Sequence, residues 1–245
     1  MTSMLRIDFL TLFPEMVLGS CRHSILGRAE MESLVSFHAS NPRDFTYDRH
    51  SKVDDTPYGG AAGMLIAVEP VHRCLDSIGI GTAKSRSTAV VMTDPTGKMF
   101  SQSDAIELAG MNRIVFLCGH YEGFDDRVRK LFSTHSFSIG DYVLTGGELP
   151  ALVMADAAVR LLPGALGSQD SLIQDSHADG LLSSPNYTRP ESYLGEEVPP
   201  VLLSGDHKKI AKWKRIESLK ITAKNRPDLL RSAGLDISDL DVLSS

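Results

Sequence analysis

A chain of 245 residues, 42% hydrophobic and 23% charged, has the make-up of an ordinary globular protein, with room for one large domain or a medium domain plus a small one. A formal net charge of −6 excludes a surface that is basic throughout, so any polyanionic partner has to dock on a local patch. The three cysteines, Cys21, Cys74 and Cys118, are odd in number, widely spaced and lack a CxxC pair. That argues against a disulfide framework or a cysteine zinc site and suits buried free thiols in a reducing compartment.

Residues 1–13 (MTSMLRIDFLTLF) carry too short an apolar run for a signal peptide, and no stretch approaches the length of a membrane span. The chain is expected to be cytoplasmic, with no membrane partner. Residues 4–12 suit a strand, ended by Phe13-Pro14-Glu15. Residues 41–63 are polar and glycine-rich and read as a long loop, a feature that usually carries function. Helical spacing of Val68, Val71, Leu75 and Ile78 predicts a helix over 67–78. A buried-type strand follows at 88–93 (TAVVMT), closed by Asp94-Pro95-Thr96-Gly97.

Residues 101–111 open on a capping-box-like Ser-x-x-Asp and form a helix with Ala105, Leu108 and Ala109 on one face. Residues 113–118 (RIVFLC) are another apolar strand, 119–123 (GHYEG) a loop, 124–132 a short charged helix and 136–139 a strand. A glycine-rich loop then runs to Gly147. Behind it comes an almost purely apolar helix over 148–162, with Pro150 tolerated in the first turn and a lone Arg160 near its end. Pro163-Gly164 stops it. Residues 165–179 are polar and aperiodic, a linker expected to lack order without a partner. Helices are expected from about 206 and about 227. The pattern is α/β: a mostly parallel sheet domain at 1–164, the linker at 165–179, and a small, mostly helical domain at 180–245.

The glycines fit no common phosphate fingerprint. GxGxxG and GxxxxGK[ST] are absent, as are HExxH and GxSxG. No histidine pair has metal spacing, so no metal ligand is assigned. Three glycine-bearing loops, 94–97, 119–123 and 140–147, each follow an apolar strand. Ligands in open α/β sheets sit beyond the carboxyl ends of strands. Each loop alone reads more readily as a tight turn; three in succession shift the balance toward one site.

Those loops, with Leu12-Phe13-Pro14-Glu15-Met16, Pro42-Arg43-Asp44-Phe45, Val53-Asp54-Asp55-Thr56-Pro57-Tyr58-Gly59-Gly60, Gly146-Gly147-Glu148-Leu149-Pro150 and Pro185-Asn186-Tyr187-Thr188-Arg189-Pro190, resemble the bacterial tRNA (guanine-N1)-methyltransferases, the TrmD type of the SPOUT class. The resemblance covers nearly the whole chain. It implies a deep trefoil knot in the first domain, a homodimer with active sites shared between subunits, and methylation of guanine N1 in tRNA at the base 3′-adjacent to the anticodon. It implies S-adenosylmethionine as methyl donor, held by Thr93, Pro95, Gly119, Tyr121, Glu122, Gly123, Ser138, Ile139, Gly140, Tyr142, Leu144, Gly146, Gly147 and Pro150.

The resemblance makes Asp175, from the partner subunit, the general base and Arg160 the group that stabilises charge growing on O6. Taken alone, Asp175 reads as a solvated linker carboxylate, with Asp170 a weaker rival, and Arg160 as a snorkelling surface arginine. Asp54, Tyr58 and Gly59 would approach the target guanine, or else form a turn cluster. Residues 208–226 hold eight Lys or Arg and one acid, so Lys208, Lys212 and Arg215 are candidate tRNA contacts. Trp213 is a stacking or a core residue. A Mg²⁺ requirement goes with the family, but no ligand for it can be named. Ser183 stands where many relatives have aspartate, and residues 59–64 read GGAAGM where many read GGGPGM. A catalytically silent tRNA-binding protein and a knotted methyltransferase for another base are the alternative readings.

Overall fold

A computed structural model describes residues 4–167 and 175–244. Residues 168–174 lie outside the described residues; they include Asp170 and the middle of the linker expected at 165–179. The chain forms two compact units, 1–167 and 168–245.

The first unit is built on a five-stranded sheet in the order β2-β1-β6-β5-β7, with every neighbouring pair parallel. Its strands are β1 (Leu5–Leu10), β2 (Val35–Ser40), β5 (Thr88–Met99), β6 (Arg113–Cys118) and β7 (His135–Ser138). A small hairpin of β3 (Asp54–Asp55) and β4 (Leu65–Ile66) stands apart from the sheet. The helices are α1 (Pro14–Cys21), α2 (Ser24–Met31), α3 (Val68–Ser77), α4 (Gln102–Ala109), α5 (Asp126–Phe132) and α6 (Glu148–Val159).

Parallel strands covered on both faces need apolar side chains on both, which is why RIVFLC and TAVVMT are unbroken runs. Val91, Ile114 and Phe116 pack under α1, α2, α4 and α6, and Phe9 stacks on Phe116 with ring centroids 5.5 Å apart. Val90, Met92, Val115 and Leu117 face the other way, toward Val71, Cys74 and Leu75 of α3 and Val128 and Phe132 of α5. All three cysteines are free and buried. Burial pushes the Cys21 and Cys74 thiols up to about 12, and Cys118 well above its ordinary value.

Three details differ from the sequence expectation. Residues 14–40 hold α1, α2 and β2, elements too short and too mixed to show a period: α1 buries only Val17 and Cys21. The strand expected to close at 93 runs on to Met99 through an irregularity between Thr93 and Lys98, and both of those residues pair with Phe137. The helix expected from about 227 is only a 3₁₀ turn at Leu229–Arg231, and the helix itself starts at Ile237. The Ser101 cap is formed as expected, with its N–H and hydroxyl both donating to Asp104, at 2.9 and 2.6 Å.

The second unit holds a two-stranded turn, β8 (Ser192–Tyr193) and β9 (Glu196–Glu197), then α7 (Pro200–Leu203), α8 (His207–Asn225) and α9 (Ile237–Leu243). Leu181 and Leu219 are buried within it, and Tyr187 tilts against Trp213 with centroids 6.4 Å apart.

Candidate active site

The carboxyl ends of β5, β6 and β7 open into one cavity of about 350 Å³, a size usual for small-molecule sites. The loops 94–97, 119–123 and 140–147 converge on it. All fourteen residues expected to hold a cofactor line it. Backbone packing explains the glycines. A Cβ on Gly147 would lie 2.0 Å from Thr93 Oγ1 and 2.8 Å from Cys118 Cα, and one on Gly146 would overlap the His120 ring. The Gly147 N–H donates to Gly119 O at 2.8 Å, tying two of the loops together.

The charges in the lining are mostly acidic: Asp94, Glu122, Asp125 and Asp126 against Arg129. Arg129 is itself paired with Asp126, and Arg127 with Asp125. Tyr142, Val143 and Leu144 supply an apolar wall. Such a lining suits a ligand with an apolar plane and positive charge and disfavours one rich in phosphate.

Asp54, Tyr58 and Gly59 are outside the cavity lining, on the β3–β4 hairpin. That hairpin is stitched to the second loop. Ile66 N–H donates to Gly123 O at 2.9 Å, Asp125 N–H to Ile66 O at 3.0 Å and Glu122 N–H to Met64 O at 3.0 Å. The hairpin therefore rises beside Glu122, with Tyr58 fully exposed. Arg43 adds a bond from Nη2 to the Tyr121 hydroxyl at 3.1 Å.

Beneath the loops lies a polar group that the sequence reading left unassigned. Glu148, at the start of α6, is only 2% exposed. Thr11 Oγ1 donates to Glu148 Oε1 at 2.5 Å, and His120 Nε2 lies 2.7 Å from Glu148 Oε2. Phe13 N–H donates to Thr11 Oγ1 at 2.9 Å, which brings in the end of β1. The signal was present in the sequence: an acid directly after Gly146-Gly147, opening an apolar helix, is a costly residue to bury without partners.

Arg160 caps the far end of α6 and does not line the cavity. With 12 residues in α6, its Cα lies about 18 Å along the axis from Glu148. It shares one face with Leu149, Val153 and Asp156, all exposed, at the spacing that aligns side chains on a helix. Asp175 opens the described part of the second unit. Lys208 and Lys212 are exposed on α8, whereas Arg215 is engaged with Asp239 and Asp179. Among the described residues no group of three or more His, Cys, Asp or Glu side chains is placed to hold a metal ion. No helix among them is long and apolar enough to cross a membrane.

A parallel α/β sheet with glycine loops gathered at its carboxyl edge around one acidic and apolar cavity defines a small-ligand-binding class. Comparison with known proteins narrows that class. A family profile described as tRNA (Guanine-1)-methyltransferase TrmD matches residues 5–232. Proteins named tRNA (guanine-N(1)-)-methyltransferase match over nearly their whole length. The one from Geotalea uraniireducens is 49% identical over 98% of this chain and 96% of its own, and that from Dehalococcoides mccartyi is 50% identical over 96% and 94%. The one from Staphylococcus epidermidis is 46% identical over 98% and 97%. The chain belongs to the tRNA (guanine-N1)-methyltransferase family.

Proposed function

We propose that this family member transfers a methyl group from S-adenosylmethionine to N1 of the guanosine 3′-adjacent to the anticodon of tRNA. The observation that carries the reading is the convergence of the three loops on one cavity whose lining charges are mostly acidic, Asp94 and Glu122 among them. The donor bears a sulfonium and an ammonium, so its charges complement that lining, and its adenine suits the wall of Tyr142 and Leu144. The close packing of backbone at Gly146 and Gly147 holds the loops together at the edge of the cavity, where a side chain would force them apart.

S-adenosylmethionine supplies an activated methyl on a good leaving group. The chain has to supply the rest. N1 of guanine carries a proton and is a weak nucleophile until that proton leaves. Asp175 accepts it as general base. Negative charge then grows on O6, where the Arg160 guanidinium stabilises it. Glu122 holds the cationic donor in place, and the Asp54, Tyr58 and Gly59 hairpin bounds the space for the base. Lys208 and Lys212 bind the RNA backbone.

A homodimer with shared sites is part of this proposal. Arg160 is a helix length from the cavity of its own chain, on a face where Leu149 and Val153 are exposed; α1, which packs on α6, also exposes Met16. A second copy on that face covers the apolar side chains and brings Arg160 toward a partner's cavity. A trefoil knot in the first unit is also part of this proposal. The tRNA substrate and the buried thiols suit the cytoplasm.

The sharing is tested by complementation. A dimer pairing Asp175→Ala with the cavity variant Gly147→Ala recovers activity that neither homodimer has. Failure to recover any would place each site within one chain.

A further inference from the structure

Asp175 lies in a turn that residues of the second unit support. Ala178 N–H donates to Asp175 O at 3.2 Å, and His177 N–H to Leu181 O at 2.7 Å. Ser176 Oγ accepts from Ser183 N–H at 3.0 Å and lies 3.0 Å from Ser183 Oγ. The turn is thus folded back on residues 181–183.

That segment is in turn fastened to α8 by three side chains. Thr222 Oγ1 accepts from Leu182 N–H at 2.9 Å, and Ser218 Oγ donates to Leu182 O. Arg215 Nη1 donates to Asp179 Oδ2 at 2.6 Å. Positions 215, 218 and 222 share one side of the helix, and Lys208 and Lys212 continue that side toward its amino end. Each nitrogen of the Arg215 fork has a carboxylate partner: Nε and Nη2 donate to Asp239 at 3.0 and 2.7 Å while Nη1 donates to Asp179. A guanidinium spent on two carboxylates has little left for a phosphate.

We propose that Arg215 is a positioning residue for methyl transfer: by bridging Asp179 to Asp239 it holds the Asp175 turn rigidly on α8, so that seating RNA on Lys208 and Lys212 delivers the base in one movement. The inference rests on the reading of Asp175 as base. Arg215 and Asp179 are too exposed for their pair to add much stability; the effect is on geometry, where a displacement of about 1 Å costs roughly a hundredfold in rate.

The test uses the full-length enzyme and four variants: Asp179→Ala, Arg215→Ala, Arg215→Lys and Asp175→Ala. Asp179→Ala cuts the tie from Arg215 to the turn, together with the bond that Asp179 Oδ1 accepts from Leu181 N–H at 3.2 Å, and leaves the Arg215–Asp239 pair intact, so it keeps the test valid if Arg215→Ala unfolds. The expected result is a fall in kcat of about tenfold to a hundredfold for Asp179→Ala and Arg215→Ala. KM for a tRNA transcript and affinity for S-adenosylhomocysteine stay near wild type, and Arg215→Lys recovers part of kcat. Unchanged kcat with raised KM and a shallower salt dependence would make Arg215 a phosphate contact and overturn the proposal. So would wild-type kinetics in Asp179→Ala alongside an inactive Asp175→Ala. An active Asp175→Ala would instead remove the base assignment on which the proposal stands.

Discussion

His120 Nε2 and Glu148 Oε2 lie 2.7 Å apart beneath the cavity, and Thr11 Oγ1 closes the other side of the same carboxylate at 2.5 Å. Three segments distant in sequence are joined through one buried acid: the end of β1, the 119–123 loop and the start of α6. The arrangement explains how loops rich in glycine, and so poor in side-chain packing, keep one shape.

Removing the acid leaves two polar groups without their partner. Glu148→Ala is expected to lower unfolding free energy by about 2–4 kcal/mol. Glu148→Gln, which keeps the shape and one acceptor, is expected to lose less. Urea titration gives the stability, and calorimetry with S-adenosylhomocysteine shows whether affinity falls with it. Wild-type stability in Glu148→Ala would contradict the role assigned to the carboxylate.

The contact at Gly147 is with backbone and a hydroxyl, so it does not relax by rotating a long side chain. Gly147→Ala is expected to cost about 1–3 kcal/mol through overpacking and to widen the gap between the 119–123 and 140–147 loops. Loss of S-adenosylhomocysteine binding in a protein that still melts cooperatively is the expected reading.

Asp239 ties α9 to α8. Hydrogen bonds from Arg215 hold its carboxyl below the usual carboxylate range; burial pushes the other way, and the Asp236 N–H adds to the lowering. A depressed pKa means the folded state keeps the proton off where the unfolded chain takes it up. The stabilisation is therefore complete above the unfolded value of about 3.9 and is lost as pH falls below it. Asp239→Asn is expected to be less stable at neutral pH and to flatten the acid limb of a stability–pH curve, followed by Trp213 fluorescence.

Lys208 and Lys212 are exposed on α8. Replacing either by alanine is expected to reduce the slope of log K against log salt for tRNA binding by roughly 0.7–0.9. The affinity for S-adenosylhomocysteine should not change. A steep slope retained in the double variant would move the RNA contact elsewhere.

Much of the sheet was legible because parallel strands buried on both faces leave continuous apolar runs. RIVFLC matched β6 to the residue, and TAVVMT opened β5. The run of β5 beyond Thr93 was not legible, since Asp94-Pro95-Thr96-Gly97 has turn chemistry and only the pairing of Lys98 and Met99 with β7 extends it. The elements α1, α2 and β2 were hidden by brevity. At the site, glycine loops after strands marked the cavity, but the support under it was invisible. Thr11, His120 and Glu148 are 137 and 28 residues apart along their bonds, and no local pattern signals such a meeting. Arg215 illustrates the reverse: a basic helix suggests RNA contact for every cation, while tertiary partners decide which cations are spent on the fold.

The central claim is tested most directly by methyl transfer from labelled S-adenosylmethionine to a tRNA transcript carrying guanosine 3′-adjacent to the anticodon. Wild type is compared with Asp175→Ala, and the transcript with one in which that guanosine is replaced. The account predicts label at guanine N1 with wild type and the intact transcript, and none in either altered arm. Label on another base, or cofactor binding by wild type with no transfer to any tRNA tried, would contradict it.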